Sequence, residues 1–389
     1  MRDWFPRRTS VAPSSDGPGW SGRGRASASP RKPGDLGAHF VRPQPPVPQT
    51  WSYWSWALGL LLAAACTVGV CSPAPADDLS AELKQVPHKI VYESYRDGNW
   101  ELMLVDADGS HPLNLTRTPD VDELYPHASP DGTKICFMAD EGKDAQKVRS
   151  VYYVNADGAG RTLVARNARD ACWNGDGTAI AYLGGEFEQF NDSIIANKGL
   201  FIYDLATGKH RAHPNQQIQH LFNLCWSPDG RWFVATVHAG MGYDHALIAI
   251  EGEGTRVLNL GIPGCRPEFS PDGKRIAWTP NDWALRVGDL DLSGDKPKVT
   301  NQRDVVTSAK PTKVYHIDLS PDAKYVAFSR GSFEKRLGRA PENVGTPAEG
   351  WNICVADATK TNRWVQITTD GNSNKEPDWA VPPSKTTAE

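Results

Sequence analysis

One short word recurs along this chain and limits what it can fold into. Trp226-Ser227-Pro228-Asp229-Gly230 ends an apolar run, and Trp232-Phe233-Val234-Ala235 follows it. Pro228 presets φ for a turn, Asp229 can hold the backbone two residues on, and Gly230 accepts the positive φ that closes a hairpin. The aromatic and β-branched residues beyond it favour a second strand. The word returns as Ala128-Ser129-Pro130-Asp131-Gly132, Trp173-Asn174-Gly175-Asp176-Gly177, Phe269-Ser270-Pro271-Asp272-Gly273 and Leu319-Ser320-Pro321-Asp322-Ala323. Its central positions, 130, 175, 228, 271 and 321, are spaced by 45, 53, 43 and 50 residues. Periods of this size denote a repeat architecture.

A second word lies between the copies. Leu102 to Gly109 and Val151 to Gly158 are strands that run into Asp-Ala-Asp-Gly and Asn-Ala-Asp-Gly turns. A short fourth strand, such as Pro112 to Thr116, completes each unit. Four antiparallel strands make one blade of a β-propeller, and a ring of blades buries faces that a lone sheet cannot. The first unit, from His88, lacks its own turn strand, and the orphan Glu376-Pro377-Asp378-Trp379 near the C-terminus supplies it. The predicted fold is all-β: a six-bladed β-propeller of four-stranded antiparallel blades, closed by the C-terminal strand joining the first blade.

With its Trp-Ser-Pro-Asp-Gly hairpins, Asp-Ala-Asp-Gly turn, six units and terminal closure, the region 88–381 resembles the TolB-like bacterial β-propellers. The resemblance implies an exported binding protein whose partner is a protein or a cell-envelope polymer, met at the mouth of the central channel. Related repeats also form the propeller halves of prolyl-oligopeptidase-like proteins and of some pectin-degrading lyases. The alternative is therefore a polysaccharide lyase or hydrolase with its active site in the funnel. TolB itself carries an α/β domain ahead of its propeller, whereas only residues 77–87 are expected here between leader and first strand, so the resemblance is to the propeller alone.

Residues 1–50 are rich in Pro, Gly, Ser and Arg and are expected to be a disordered basic leader. They carry eight Lys/Arg against three Asp/Glu, which leaves 34 against 43, a net charge of −9, for the rest. That excess argues against a nucleic-acid partner. Segment 51–76 is expected to be a signal peptide or membrane anchor. Its apolar run Trp56 to Val70 is short for a span, and Ala74-Pro75-Ala76 matches a cleavage site. Cys66 and Cys71 are competing lipidation positions. Each outcome places the propeller outside the cytoplasm, periplasmic or membrane-anchored, with the N-terminal segment as its only membrane contact. A short linker, 77–87, and a tail, 382–389, flank the ring, which is expected to be monomeric.

The candidate site follows from strand order. The inner strands start at the channel end opposite the Pro-Asp-Gly turns, and that end is taken as the mouth. Aligned on the repeat, a first ring of Tyr125, Asp170, Asn223, Arg266, His316 and Glu376 is polar or amphipathic throughout. Two residues on, His127, Cys172, Cys225, Glu268, Asp318 and Asp378 form a second ring. Period-two alternation turns both toward the channel. The ten members other than the two cysteines are the predicted ligand-binding residues, lining a funnel for a ligand or partner segment; the bland alternative is a solvated channel wall. Two insertions, 184–199 and 331–350, overhang this end.

No catalytic residue, metal or cofactor is expected, since the chain lacks metalloprotease and phosphate-loop motifs. His127 and His316 with the ring carboxylates could form a metal site, but two histidines are few. His210 and His213 are expected to be a solvated pair. An odd set of five cysteines, 136, 172, 225, 265 and 354, gives no disulfide framework. A Cys172–Cys225 bridge is one alternative, free thiols the other.

Overall fold

The computed structural model describes residues 76–336 and 338–382. The leader, the apolar run and most of the C-terminal tail lie outside the described residues. The described strands form six four-stranded antiparallel sheets. In blade one, Lys89–Arg96, Asn99–Asp106 and Leu113–Asn114 continue outward from Ser373–Ala380, the last strand of the chain. The C-terminal strand thus closes the ring inside the first blade, through pairs such as Lys89 with Ala380 and Tyr95 with Ser373. The inner strands of blades two to six are Asp122–Ala128, Ala168–Trp173, Leu221–Trp226, Cys265–Phe269 and Thr312–Leu319.

The recurring word folds the same way each time. Ser227 Oγ donates to Asp229 Oδ1 at 2.7 Å, Asp229 accepts from the Arg231 N–H, and Ser227 Oγ accepts from the Trp232 N–H at 2.9 Å. The same three bonds recur around Ser129 and Asp131, Ser270 and Asp272, and Ser320 and Asp322. In blade three, Asn174 replaces the serine and Asp176 keeps its role. Each turn satisfies its own backbone donors, so hairpin register is set locally.

Packing energy lies between blades. Six hydrophobic clusters each join two neighbours, as where Leu183 and Leu200 of blade three meet Phe233 and Ile248 of blade four. Phe137, Phe233, Trp278 and Phe328 are fully buried in these seams. Each side chain of that size contributes roughly 1.5–3 kcal/mol.

Residues expected to be a linker include a short helix, Ala76–Leu83. Its Leu79 and Leu83 are buried in the seam between blades six and one, and Glu82 makes a two-pronged pair with Arg363. The expected polar lead-in carries a leucine pair four residues apart, which packs. Among the described residues no helix is long and apolar enough to cross a membrane.

Candidate functional site

All six first-ring residues have left-handed backbone angles: Tyr125 φ 53°, Asp170 48°, Asn223 53°, Arg266 58°, His316 56° and Glu376 50°. Every inner strand has a β-bulge at this point. Leu124 pairs with Met138 and His127 with Cys136, so Tyr125 and Pro126 together face one residue. The other five strands shift register in the same place. Simple alternation was the wrong reason for the ring. A bulge aims the first-ring residue, at about 1–3 kcal/mol of backbone strain each. A partial signal was present in the sequence: Pro126, Pro267 and Pro377 follow ring residues, and proline within a sheet is confined to edge strands, strand starts or bulges.

The bulges bring both rings together. Tyr125, Asn223, Arg266, His316 and Glu376 of the first ring and His127, Glu268, Asp318 and Asp378 of the second line one axial chamber of about 30 Å³. Asp170 stands beside it, accepting from the Asn223 N–H. The first ring is a hydrogen-bonded plug. Arg266 Nη1 donates to both oxygens of Glu376 at 2.8 and 2.6 Å, and Asn223 Nδ2 donates to the Tyr125 hydroxyl at 2.8 Å. Burial alone would lower the Arg266 pKa; Glu376 more than offsets it, so the guanidinium stays charged. His316 is held neutral by burial and by the cations Arg266 and Lys375.

The end expected to be the mouth is closed. The 331–350 insertion folds back over the first ring, and its carbonyls are gripped from below. The Glu342 carbonyl accepts from His316 Nε2 at 2.8 Å and from Arg266 Nη2 at 3.5 Å. The Pro341 and Asn343 carbonyls accept from Lys375, a fully buried lysine that also faces Glu93 at 3.6 Å. Lys313 holds the Glu342 carboxylate at 2.7 Å. Val344 packs beside Tyr125, and Arg339 pairs with Asp192 of the other insertion. Lys313, Lys375, Glu93 and Glu342 were missed from the sequence; nothing in the repeat distinguishes them, since Lys313 and Lys375 meet groups of the blade-six insertion, Glu342 belongs to that insertion, and Glu93 is placed by Lys375 and the Tyr125 N–H across the ring.

The opposite end is open. First-ring residues are only 4–8 % exposed, whereas His127, Glu268, Asp318 and Asp378 are partly exposed. A cavity of about 240 Å³, walled by Pro130, Pro228, Pro271 and Pro321 of the recurring turns, ends on Glu268, Asp318 and Asp378. The channel is therefore entered from the turn face.

Second-ring chemistry is acidic. Asp378 accepts from the Ala128 N–H at 2.7 Å and lies 2.8 Å from His127 Nδ1. Asp318 accepts from the Trp379 N–H, and Glu268 from the Cys225 thiol at 2.9 Å. Burial, reinforced by Asp378, pushes the Glu268 carboxyl up to about 7 against the pull of Cys225 and His127. Burial and the neighbouring carboxylates also raise Asp318 well above its usual range. Burial works against an imidazolium at His127, but Asp378 and Glu268 outweigh it and raise its pKa.

The remaining expectations resolve simply. Cys136, Cys172, Cys225, Cys265 and Cys354 are all free and buried. His210 bonds the Tyr182 hydroxyl at 2.9 Å, but His213 is fully buried on the Glu251 carbonyl, so the two are not a solvated pair. No cluster of metal-ligating residues occurs among the described residues.

These features define the class: a six-bladed β-propeller with a roofed channel. No family model matches the chain, and no curated protein matches it in sequence. Among solved structures it is similar to Kuenenia stuttgartiensis hydrazine synthase, with TM-score 0.53 and 11 % identity over 78 % of this chain and 48 % of that one. It thus spans about half the length of that relative, and the likeness is one of fold alone. Weaker likenesses are to an oligogalacturonate lyase in complex with manganese, TM-score 0.39 and 15 % identity over 61 % of this chain and 70 % of that one. Another is to a nidogen/laminin complex, TM-score 0.48 and 10 % identity over 75 % and 98 %. Neither carries an argument about this chain.

Proposed function

We propose that this chain is an exported, non-catalytic, TolB-like binding propeller that receives a partner protein or an envelope polymer at the turn-side end of its channel. The observation that supports this is the gradient of access. The second ring opens to solvent between the recurring turns, while the first ring is buried beneath Pro341 to Asn343. A rigid ring with one open, polar-floored end suits capture of a projecting segment.

The alternative, a polysaccharide lyase or hydrolase, draws on one feature. His127 is oriented by Asp378, and Glu268 titrates near neutrality, an arrangement suited to general acid–base work. Against it, His127 lines only the inner chamber of about 30 Å³ and not the wider cavity of about 240 Å³ onto which Glu268 and Asp378 open.

Photo-crosslinking separates the readings. A crosslinker at exposed Pro271 in the full-length chain should give adducts in envelope preparations, and one at Ala340 on the roof should not. Adducts only from the roof, or cleavage of polyuronate by the wild type that Glu268→Gln abolishes, would overturn the binding proposal.

A further inference from the structure

The axial chamber contains polar atoms with nothing to bond. Asn223 Oδ1, His316 Nδ1 and His127 Nε2 are buried without a hydrogen-bond partner, and all three residues line it. Asn223 is 8 % exposed and His316 4 %. His316 Nε2 lies 2.8 Å from a carbonyl and therefore carries the proton, which leaves Nδ1 an acceptor. His127 Nδ1 faces Asp378 in the same way, so its Nε2 accepts when the ring is neutral. The amide oxygen of Asn223 is an acceptor as well. Two unused acceptors, on Asn223 and His316, and a third on His127 once its imidazole is neutral, thus stand over the Glu268, Asp318 and Asp378 carboxylates, which lie between the chamber and the open cavity.

We infer that the turn-side mouth takes a primary ammonium group, carried on a lysine side chain or a polypeptide N-terminus of the partner. This rests on the binding function proposed above and names its chemistry. An ammonium offers three donors, one positive charge and no acceptor. It suits a site rich in acceptors and carboxylates whose cations are paired with other groups: Arg266 through Nη1 with Glu376, its Nε alone being unpartnered, Lys375 with Glu93 and the roof, and Lys313 with Glu342. Size narrows the choice. The chamber's 30 Å³ admits a group as small as water, and a planar guanidinium is larger. The cavity of about 240 Å³ in front of it accommodates an aliphatic stem between the proline walls.

The test uses isothermal titration of the full-length protein at pH 8. The probes are Ac-Gly-Gly-Lys-Gly-Gly-amide, its Nε-acetyl-lysine and arginine counterparts, and Gly-Gly-Gly-Gly-Gly-amide with a free N-terminus. The lysine peptide or the free-amine peptide should bind at least about tenfold more tightly than both the acetylated and the arginine peptides, a gap of about 1.4 kcal/mol. Whichever of the two binds better identifies the source of the ammonium. Glu268→Gln and Asp318→Asn should each weaken it about tenfold, with circular dichroism and Tm recorded to confirm folding. The acetylation comparison stands even where a variant fails to fold. Equal binding of acetylated and free lysine, or no binding of either amine, would overturn the inference. Turn-side crosslinks that persist without amine preference would leave the proposed function intact, whereas crosslinks confined to the roof would remove both.

Discussion

Arg266 and Glu376 stand 110 residues apart in the chain and meet inside the channel, one guanidinium nitrogen 2.8 and 2.6 Å from the two carboxylate oxygens. The pair ties blade five to the strand that closes the ring, across blade six. Its side chains are 6 % and 5 % exposed, so removing either partner strands a buried charge. Arg266→Met or Glu376→Leu alone should cost about 3–5 kcal/mol, and the double variant should recover most of the loss. Urea unfolding of the four proteins of the cycle measures the coupling. A single variant as stable as the wild type would mean that the pair contributes nothing to closure.

The left-handed backbone at the first ring makes a separate prediction. Arg266→Gly and Arg266→Ala lose the same ion pair, but alanine at φ 58° keeps the strain and glycine does not. The glycine variant should be the more stable by about 1 kcal/mol in the same unfolding experiment. Equal stability would show that the surrounding blades relax around the bulge.

The turn bonds should be independent. Ser227 both donates to Asp229 and accepts the Trp232 N–H, and Ser320 does the same for Asp322 and Tyr325. Each Ser→Ala change should cost about 1–2 kcal/mol by leaving the backbone donor unpaired. As the two sit on different blades, the double variant should cost the sum within about 0.5 kcal/mol. A larger or smaller total, read from Tm and urea midpoints, would point to coupling through the ring.

Glu268 supplies the pH dependence. Burial raises its folded pKa to about 7 from the usual 4.5 or so, so the folded protein holds this proton where the unfolded chain has lost it. The linked stability is present below the unfolded pKa and falls as pH rises from about 4.5 to 7. The full shift corresponds to roughly 3 kcal/mol. Glu268→Gln cannot titrate, so the stability difference between variant and wild type should change by that order across this window. A difference that stays flat from pH 4.5 to 8 would place Glu268 in contact with water or a cation.

The sequence by itself determined the architecture. Ser-Pro-Asp-Gly hairpins carry their hydrogen bonds within five residues, so each copy announces a turn and its flanking strands wherever it stands. Their number and the orphan strand at Glu376 to Trp379 gave the blades and the closure. Ring membership was legible for the same reason, since the repeat aligns Tyr125 with Arg266 and His127 with Glu268. Only the tertiary structure decided which end of the channel is open. That outcome depends on Pro341 to Asn343 of a single insertion meeting Lys313, Arg266, His316 and Lys375 from blades five, six and one, and contacts of such separation leave no local pattern. Nor could periodicity show that polar atoms on Asn223, His316 and His127 would be left unpaired around one small chamber. That follows from where six bulged strands converge, and convergence is a property of the ring.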